Sequence, residues 1–321
     1  MKEKVLVSSL SFRRSQAAIE LLQTSGYEII LSPVGRGLKE KELLALLPGV
    51  AAIVAGNDEI TETVIAAGQP DLKIIARSGV GYNTIDIQAA RRHGIVVTNT
   101  PGANNKSVAD LALGLMLSLA RTIPRLNGSL HNGCWEKSVG LELGDKTLGV
   151  VGTGNIGGEV IKRAKAFDMN IVAYDVYPRP ELAEMYGVVY LPLKEVLAQA
   201  DFLSLHAPAL PETAKMICKD TLSLMKRTAY LINTSRGELV VEEDLCEALK
   251  QNAIAGAALD SFGSEPLVQS CLFGLPNVIL TPHIGASTFE ASERAGQIAA
   301  EEVIGVLRGL APRYAVNGAA T

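Results

Sequence analysis

Three side chains in this sequence carry the chemistry needed to hold a carboxylate and move a proton. His283 lies in Val278-Ile-Leu-Thr-Pro-His283, an apolar run broken by a proline turn that presents an imidazole. Arg236 lies in Asn233-Thr-Ser-Arg236-Gly237, directly after the apolar run at 230–232. Glu265 lies in Asp260-Ser-Phe-Gly-Ser-Glu265-Pro266. A planar guanidinium holds a carboxylate through two parallel hydrogen bonds. A histidine backed by a carboxylate is a general acid/base with a fixed tautomer. Without such neighbours, the default reading of Arg236 is a surface ion pair with Glu238 or Glu242.

A fourth feature supplies a cofactor seat. Gly152-Thr-Gly154-Asn155-Ile156-Gly157 follows an apolar strand and opens a helix expected over 159–167. The first glycine permits a tight turn, the second lets the backbone approach a pyrophosphate, and the third lets helix and strand pack closely. The free N–H groups of the helix start then face the phosphates. Asp175 ends the next strand, where a carboxylate accepts from a ribose 2′-hydroxyl and repels a 2′-phosphate, which favours NAD; otherwise it is a turn cap. Arg179 is expected to point outward. Gly79-Val80-Gly81 also follows a strand but has no third glycine, so its backbone N–H groups suit a small anion instead.

These parts need a scaffold, and the pattern predicts two doubly wound parallel-sheet α/β domains. The first strand series is expected at 4–8, 28–31, 51–55, 72–76 and 95–98, with helices such as 15–24 and 85–93. The second is expected at 148–151, 171–174, 188–190, 202–205, 229–232, 255–258 and 278–280, a dinucleotide-sized sheet. An apolar helix over 104–122 separates them, and a final helix over 289–308 returns to the first domain. The expected division is 1–100 with 288–321 as a flavodoxin-like substrate (lid) domain and 101–287 as the Rossmann dinucleotide-binding domain, with hinges near 98–101 and 285–288. Closure over bound cofactor is expected. The last ten residues look frayed.

A chain of 321 residues is long for one core. A formal charge of −4, no basic cluster and few aromatics argue against nucleic acid. The longest apolar stretch is too short for a bilayer span, and the N-terminal run too short for a signal peptide. Cys134, Cys218, Cys246 and Cys271 are scattered without metal-like spacing, so they are expected as reduced thiols in a cytoplasmic protein, with no metal.

The chain resembles the D-isomer-specific 2-hydroxyacid dehydrogenases. The likeness is carried by Arg77-Ser-Gly-Val-Gly-Tyr-Asn-Thr-Ile-Asp86, Asn99-Thr-Pro-Gly-Ala-Asn104, 152–157, His206-Ala-Pro208, 233–237, Leu259-Asp260, Glu265-Pro266 and 282–288. Within that family it is most similar to the short-type 3-phosphoglycerate dehydrogenases, which lack a regulatory C-terminal domain, so serine feedback is not expected.

The resemblance implies that His283 is the acid/base, Glu265 its partner, and Arg236 the group that binds the carboxylate and polarises the C2 oxygen. It implies NAD contacts at Gly152, Gly154, Asn155, Ile156, Gly157, Asp175, His206, Ala207, Pro208, Thr213, Thr234, Ser235, Arg236, Asp260, His283, Gly285 and Ala286. Substrate contacts are implied at Ser78, Gly79, Val80 and Asn104, with Arg236 and His283. Arg77 is either the seat of a distal phosphate, which favours 3-phosphoglycerate/3-phosphohydroxypyruvate, or an ion-pair residue at a domain edge. Hydroxypyruvate or glyoxylate reduction is the alternative, and an NAD-sensing corepressor a further one. The length of the apolar helix suggests a homodimer through the cofactor domains. Trp135-Glu-Lys137 falls where relatives place an interface loop, so Lys137 is a candidate to reach a partner's site.

Overall fold

The structure is a computed structural model and describes residues 2–318. It divides into two compact units, one built up to Asn104 and from Ala286 onward, the other from Asn105 to Gly285.

The first unit holds a five-stranded parallel sheet: β1 (Lys4–Val7), β2 (Glu28–Leu31), β3 (Val50–Ala55), β4 (Ile74–Arg77) and β5 (Val96–Thr98), in the order β2-β1-β3-β4-β5. Every residue of β3 is buried, as a central strand covered on both faces must be. The Gln16–Thr24 helix and the long Phe289–Leu307 helix cover one face, where Ala299, Ala300 and Val303 pack with Val5, Val7 and Leu22. The final helix thus belongs to the first unit although it follows the second in sequence.

The chain after that helix is tied down, contrary to the frayed end expected from composition. Ala315 forms an antiparallel bridge with Thr98, and Val316 N–H donates to the Val97 carbonyl. The Asn317 side chain accepts from Val97 N–H and donates to the Ile95 carbonyl. Residues 319–321 lie outside the described residues.

The second unit holds seven parallel strands: β6 (Thr147–Val151), β7 (Asn170–Tyr174), β8 (Val189–Tyr190), β9 (Phe202–Leu205), β10 (Tyr230–Asn233), β11 (Gly256–Leu259) and β12 (Val278–Leu280). Their order is β12-β11-β10-β9-β6-β7-β8. The winding reverses between β6 and β9, and the carboxyl ends of the strands flanking such a switch are where open α/β sheets bind ligands.

The apolar helix, Asn105–Ala120, packs within this unit against the Asn155–Lys165 helix, β10 and β11. Val108, Ala109, Ala112, Leu113, Leu115, Met116 and Leu119 are all buried there. Its apolar character is therefore spent in the unit's own core, which removes it as a reason to expect a dimer. A second correction concerns the cysteines. Cys246, on the Glu242–Lys250 helix, is joined by a disulfide to Cys271, with Cα atoms 6.2 Å apart. Only Cys134 and Cys218 are free among the described residues. The fold brings together two cysteines 25 residues apart, a separation with no meaning in sequence.

Candidate active site

The three residues singled out first each follow one of three adjacent strands: Arg236 after β10, Glu265 after β11 and His283 after β12. Parallel strands bring their carboxyl ends to one edge, so neighbours in the sheet become neighbours in the site. Glu265 and His283 are bonded directly. His283 Nδ1 lies 2.8 Å from Glu265 Oε2 and 3.0 Å from Oε1, which leaves Nε2 as the ring nitrogen turned away from the carboxylate. The Glu265 carboxylate also accepts from Phe262 N–H at 3.0 Å, fixing its own loop.

His283 has a left-handed backbone, φ 51°, uncommon for a residue with a side chain. Asp260 holds it there. This buried carboxylate accepts from the Thr281 hydroxyl at 2.5 Å, Ile284 N–H at 2.9 Å and Gly285 N–H at 2.8 Å. Asp260 thus braces the turn on both sides of the histidine. Burying those donors without their acceptor would cost about 1–3 kcal/mol each.

Arg236 donates to the Ser235 carbonyl at 2.8 Å, while Asn233 Nδ2 donates to the Arg236 carbonyl at 2.8 Å. A belt of bonds joins the loop ends: Ser235 Oγ donates to the Ala207 carbonyl at 2.6 Å, and Ser261 Oγ to the Ser235 carbonyl at 3.0 Å. Thr213 closes the next turn by donating to the Pro208 carbonyl and accepting from Leu210 N–H.

The glycine loop passes a direct test for a dinucleotide. A Cβ on Gly152, whose φ is 90°, would lie 2.7 Å from Ala207 N, and one on Gly157 would lie 2.0 Å from the Gly152 carbonyl oxygen. By contrast, a Cβ on Gly154 would meet nothing within 4 Å. The outer glycines allow close packing, and the middle one leaves open space before the N-terminus of the Asn155–Lys165 helix, as a bound pyrophosphate requires. Along the same strand ends, His206 Nδ1 and Thr234 Oγ1 are buried without a hydrogen-bond partner among the described residues, polar atoms suited to a ligand.

Asp175 accepts from Thr153 N–H at 2.6 Å, the Thr153 hydroxyl at 3.0 Å and Tyr177 N–H at 2.8 Å. A carboxylate has about four acceptor positions, so one remains for a ribose hydroxyl. Arg179 does not point outward as expected: its Nη1 reaches back toward the Thr153 and Gly154 carbonyls at 3.4 and 3.5 Å, while Nε pairs with Glu181. Replacing Asp175 by Ala should therefore cut the NADH-over-NADPH preference in kcat/KM about 10- to 100-fold, the worth of a hydrogen bond to a charged group. Removing the repelling charge leaves Arg179 already beside the loop. An unchanged ratio would refute the ribose role.

His206 is the most perturbed histidine. Its Nε2 bonds Ser204 Oγ at 2.8 Å, and burial pushes its pKa down from 6.5 to about 4. The folded state then binds fewer protons than the unfolded state between those values. Stability should be intact above pH 6.5 and fall as the pH drops toward 4, by up to about 3 kcal/mol. Thermal unfolding at about pH 5 and pH 7 should show a larger drop in Tm for wild type than for His206→Asn; equal drops would exclude His206 as the source.

In the first unit, the loop after β4 is shaped by Arg77. Its guanidinium donates to the Gly81 carbonyl at 2.9 Å, the Ser78 carbonyl at 2.7 Å and Asn57 Oδ1 at 2.7 Å. Gly79 N–H is taken by the Arg77 carbonyl at 2.9 Å, so of the expected anion donors this one is engaged within the loop. The Val80 carbonyl accepts from Asn99 Nδ2 at 2.9 Å, and Asn104 Oδ1 is buried without a partner among the described residues. Sequence reading missed Asp260 as the brace of the histidine turn. It also missed Ser235 and Ser261 as links between loops. The aspartate next to the end of β11 was a readable signal; the serines gave none.

The profile of the D-isomer specific 2-hydroxyacid dehydrogenase NAD binding domain matches residues 113–285, the second unit almost in full. A glyoxylate reductase from Thermococcus litoralis is 41% identical over 91% of this chain and 91% of its own length. The chain belongs to the D-isomer specific 2-hydroxyacid dehydrogenase family. A D-3-phosphoglycerate dehydrogenase from Methanocaldococcus jannaschii is 44% identical over 94% of this chain but 57% of its own length. The chain thus spans little more than half the length of the phosphoglycerate dehydrogenases it matches. Among solved structures, the TT0316 protein from Thermus thermophilus superposes with a TM-score of 0.90 at 37% identity, covering 98% of this chain and 99% of that one.

Proposed function

We propose that this chain is an NAD-linked oxidoreductase that interconverts a D-2-hydroxy acid and its 2-oxo acid. The observation that carries this reading is the Glu265–His283 pair held one strand over from the loop of Arg236, on the sheet edge that also carries the glycine loop. Bound nicotinamide supplies the hydride in reduction and accepts it in oxidation. Arg236 binds the substrate carboxylate and polarises the C2 oxygen. His283 Nε2 donates its proton to that oxygen in reduction and takes it back in oxidation. Glu265 keeps Nδ1 protonated and stabilises the imidazolium. The His283 side chain is 46% exposed, so water can replace the proton it gives up.

For the substrate, the leading reading is the 3-phosphoglycerate/3-phosphohydroxypyruvate pair of serine biosynthesis, supported by the names of several relatives. One observation favours a second reading, reduction of hydroxypyruvate or glyoxylate. Three of the five N–H groups of the Arg77 guanidinium are given to Gly81, Ser78 and Asn57, which ties it to its own loop. NADH oxidation with 3-phosphohydroxypyruvate, hydroxypyruvate and glyoxylate separates the two. The first reading expects the phosphorylated substrate to lead and Arg77→Ala to damage it selectively; equal damage to all three would end the phosphate role. No turnover of any 2-oxo acid would sink the dehydrogenase reading and revive an NAD-sensing binding protein.

A homodimer through the cofactor unit remains part of this reading. It now rests on exposed apolar side chains of the Ile123–His131 helix and the segment after it, including Leu130, Trp135 and Val139, which is fully exposed. Light scattering that returned one chain's mass would remove it. A cytoplasmic enzyme acting on small molecules, without nucleic-acid or membrane partners, completes the proposal. Among the described residues no single helix is long and apolar enough to cross a membrane.

A further inference from the structure

The Glu265 loop is fastened to one helix at two points, and one of them is covalent. The chain between β11 and β12 first meets the Glu242–Lys250 helix where Gly263 N–H donates to Glu242 Oε1 at 3.0 Å. It meets the helix again at Cys271, joined to Cys246. Glu265 sits between these anchors, two residues after the first and six before the second. No backbone N–H of 264–269 appears in a hydrogen bond among the described residues, so the path of this stretch is set by the two anchors, the bonds of Glu265 to His283 and Phe262 N–H, and the packing of Leu267 against the core.

The bridge is also reachable. Cys246 is 3% exposed, whereas Cys271 is exposed and lines an open cleft of about 480 Å³ with Glu242, Glu243, Gln269 and Ser270. A thiol entering the cleft meets the Cys271 sulfur first. Disulfides of proteins in reducing compartments are commonly transient and redox-sensing, and access decides which sulfur is attacked.

We propose that Cys246–Cys271 is a thiol–disulfide exchange site for a dithiol reductant, and that its oxidation state sets how firmly Glu265 is positioned against His283. One thiolate of the dithiol attacks Cys271 Sγ. A mixed disulfide forms on Cys271, and the Cys246–Cys271 bond breaks to release Cys246 as the thiolate, which takes up a proton. The second thiol of the dithiol attacks its own sulfur in the mixed disulfide and releases Cys271, also protonated. The dithiol is oxidised to a cyclic or intramolecular disulfide, and two electrons and two protons reach the pair of cysteines. Cutting the covalent anchor leaves the stretch after Glu265 held by the packing of Leu267 and Leu272 against the core and by the Cys271 Sγ contact with the Glu242 carbonyl, with no covalent tie to the helix. Misplacement on the order of 1 Å in a proton-transfer pair costs up to about a hundredfold in rate.

This inference rests on the dehydrogenase reading for its activity readout but carries a second readout that does not. Wild type oxidised with diamide and wild type reduced with dithiothreitol are compared by differential alkylation and mass spectrometry, hydrogen exchange and steady-state kinetics. Oxidised protein should protect two cysteines, Cys246 and Cys271, from alkylation. Reduction should speed amide exchange in 262–270 and lower kcat about tenfold, with KM for NADH within about twofold.

The Cys246→Ser/Cys271→Ser variant should match the reduced enzyme and ignore dithiothreitol. In Glu265→Gln, reduction should no longer lower kcat, which separates positioning of Glu265 from a general loosening of the fold. Four free thiols after oxidation would overturn the exchange site. Equal exchange in 262–270 in the two states would overturn the positioning role even in a protein that turned over no 2-oxo acid. Equal kcat in an active enzyme would do the same.

Discussion

His283→Asn should lose about 10²- to 10⁴-fold in kcat while its affinity for NADH stays near wild type. Asparagine is the informative replacement because the backbone at this position is left-handed, φ 51°, a region asparagine enters with little cost. The Asp260 bonds to Thr281, Ile284 and Gly285 can therefore persist, and the turn stays built. What disappears is the nitrogen proposed to exchange a proton with the substrate oxygen. Arg236 and the glycine loop remain, so residual turnover and cofactor titration should survive. Stopped-flow or steady-state NADH oxidation with saturating 2-oxo acid measures the first quantity, and NADH fluorescence titration the second. A variant that lost NADH affinity in step with kcat would assign His283 to holding the fold rather than to proton transfer.

Gly237→Ala should be nearly as damaging, although the added methyl touches no reacting atom. A Cβ there would sit 1.9 Å from the Phe262 carbonyl carbon and 2.3 Å from Gly263 N. Both are backbone atoms, so no side-chain rotation can make room. The 262–265 segment must shift, and with it both oxygens of Glu265 that face His283 and the Gly263–Glu242 bond. Overpacking of this kind costs about 1–3 kcal/mol of stability. The displaced carboxylate should cost kcat up to about a hundredfold. Thermal unfolding and kcat measured on the same preparation separate the two effects. Wild-type kcat at a lowered Tm would mean that Glu265 tolerates the shift and that its position matters less than its charge.

The strands were the most legible part of the chain, because buried parallel strands are uninterrupted apolar runs. Glu28–Leu31, Phe202–Leu205 and Val278–Leu280 lie where the pattern put them, and the others shift by one or two residues. The helix of the cofactor loop begins at Asn155 rather than 159. Gly157 and Gly158 read as helix-weak, yet glycine in a first turn is tolerated where close packing demands it. His283 was legible from the turn that follows a strand, and its pairing with Glu265 from the family resemblance; adjacent parallel strands β11 and β12 then bring the two together.

Features that depend on a partner's backbone were not legible. Arg77 reads as a phosphate seat or a domain-edge ion-pair residue until the tight turn folds the Ser78 and Gly81 carbonyls against it. Arg179 reads as exposed until its own loop brings it back over Thr153 and Gly154. The Cys246–Cys271 bridge needed the three-dimensional path of the β11–β12 connection, and the apolar helix needed the sheet face it covers.

The pairing of Ala315, Val316 and Asn317 with β5 bears on the behaviour of the protein at high concentration. β5 is the outer strand of the five-stranded sheet, and such a strand offers a row of unpaired N–H and C=O groups to any passing chain. Here the row is occupied from within: Val97 gives its carbonyl to Val316 and its N–H to the Asn317 amide, and Ile95 gives its carbonyl to the same side chain. The segment acts as a seal against sheet-to-sheet association. Its value lies in keeping the folded protein dispersed, a property that would fade on deletion of 314–317 while the Glu265–His283 pair in the other unit remained intact.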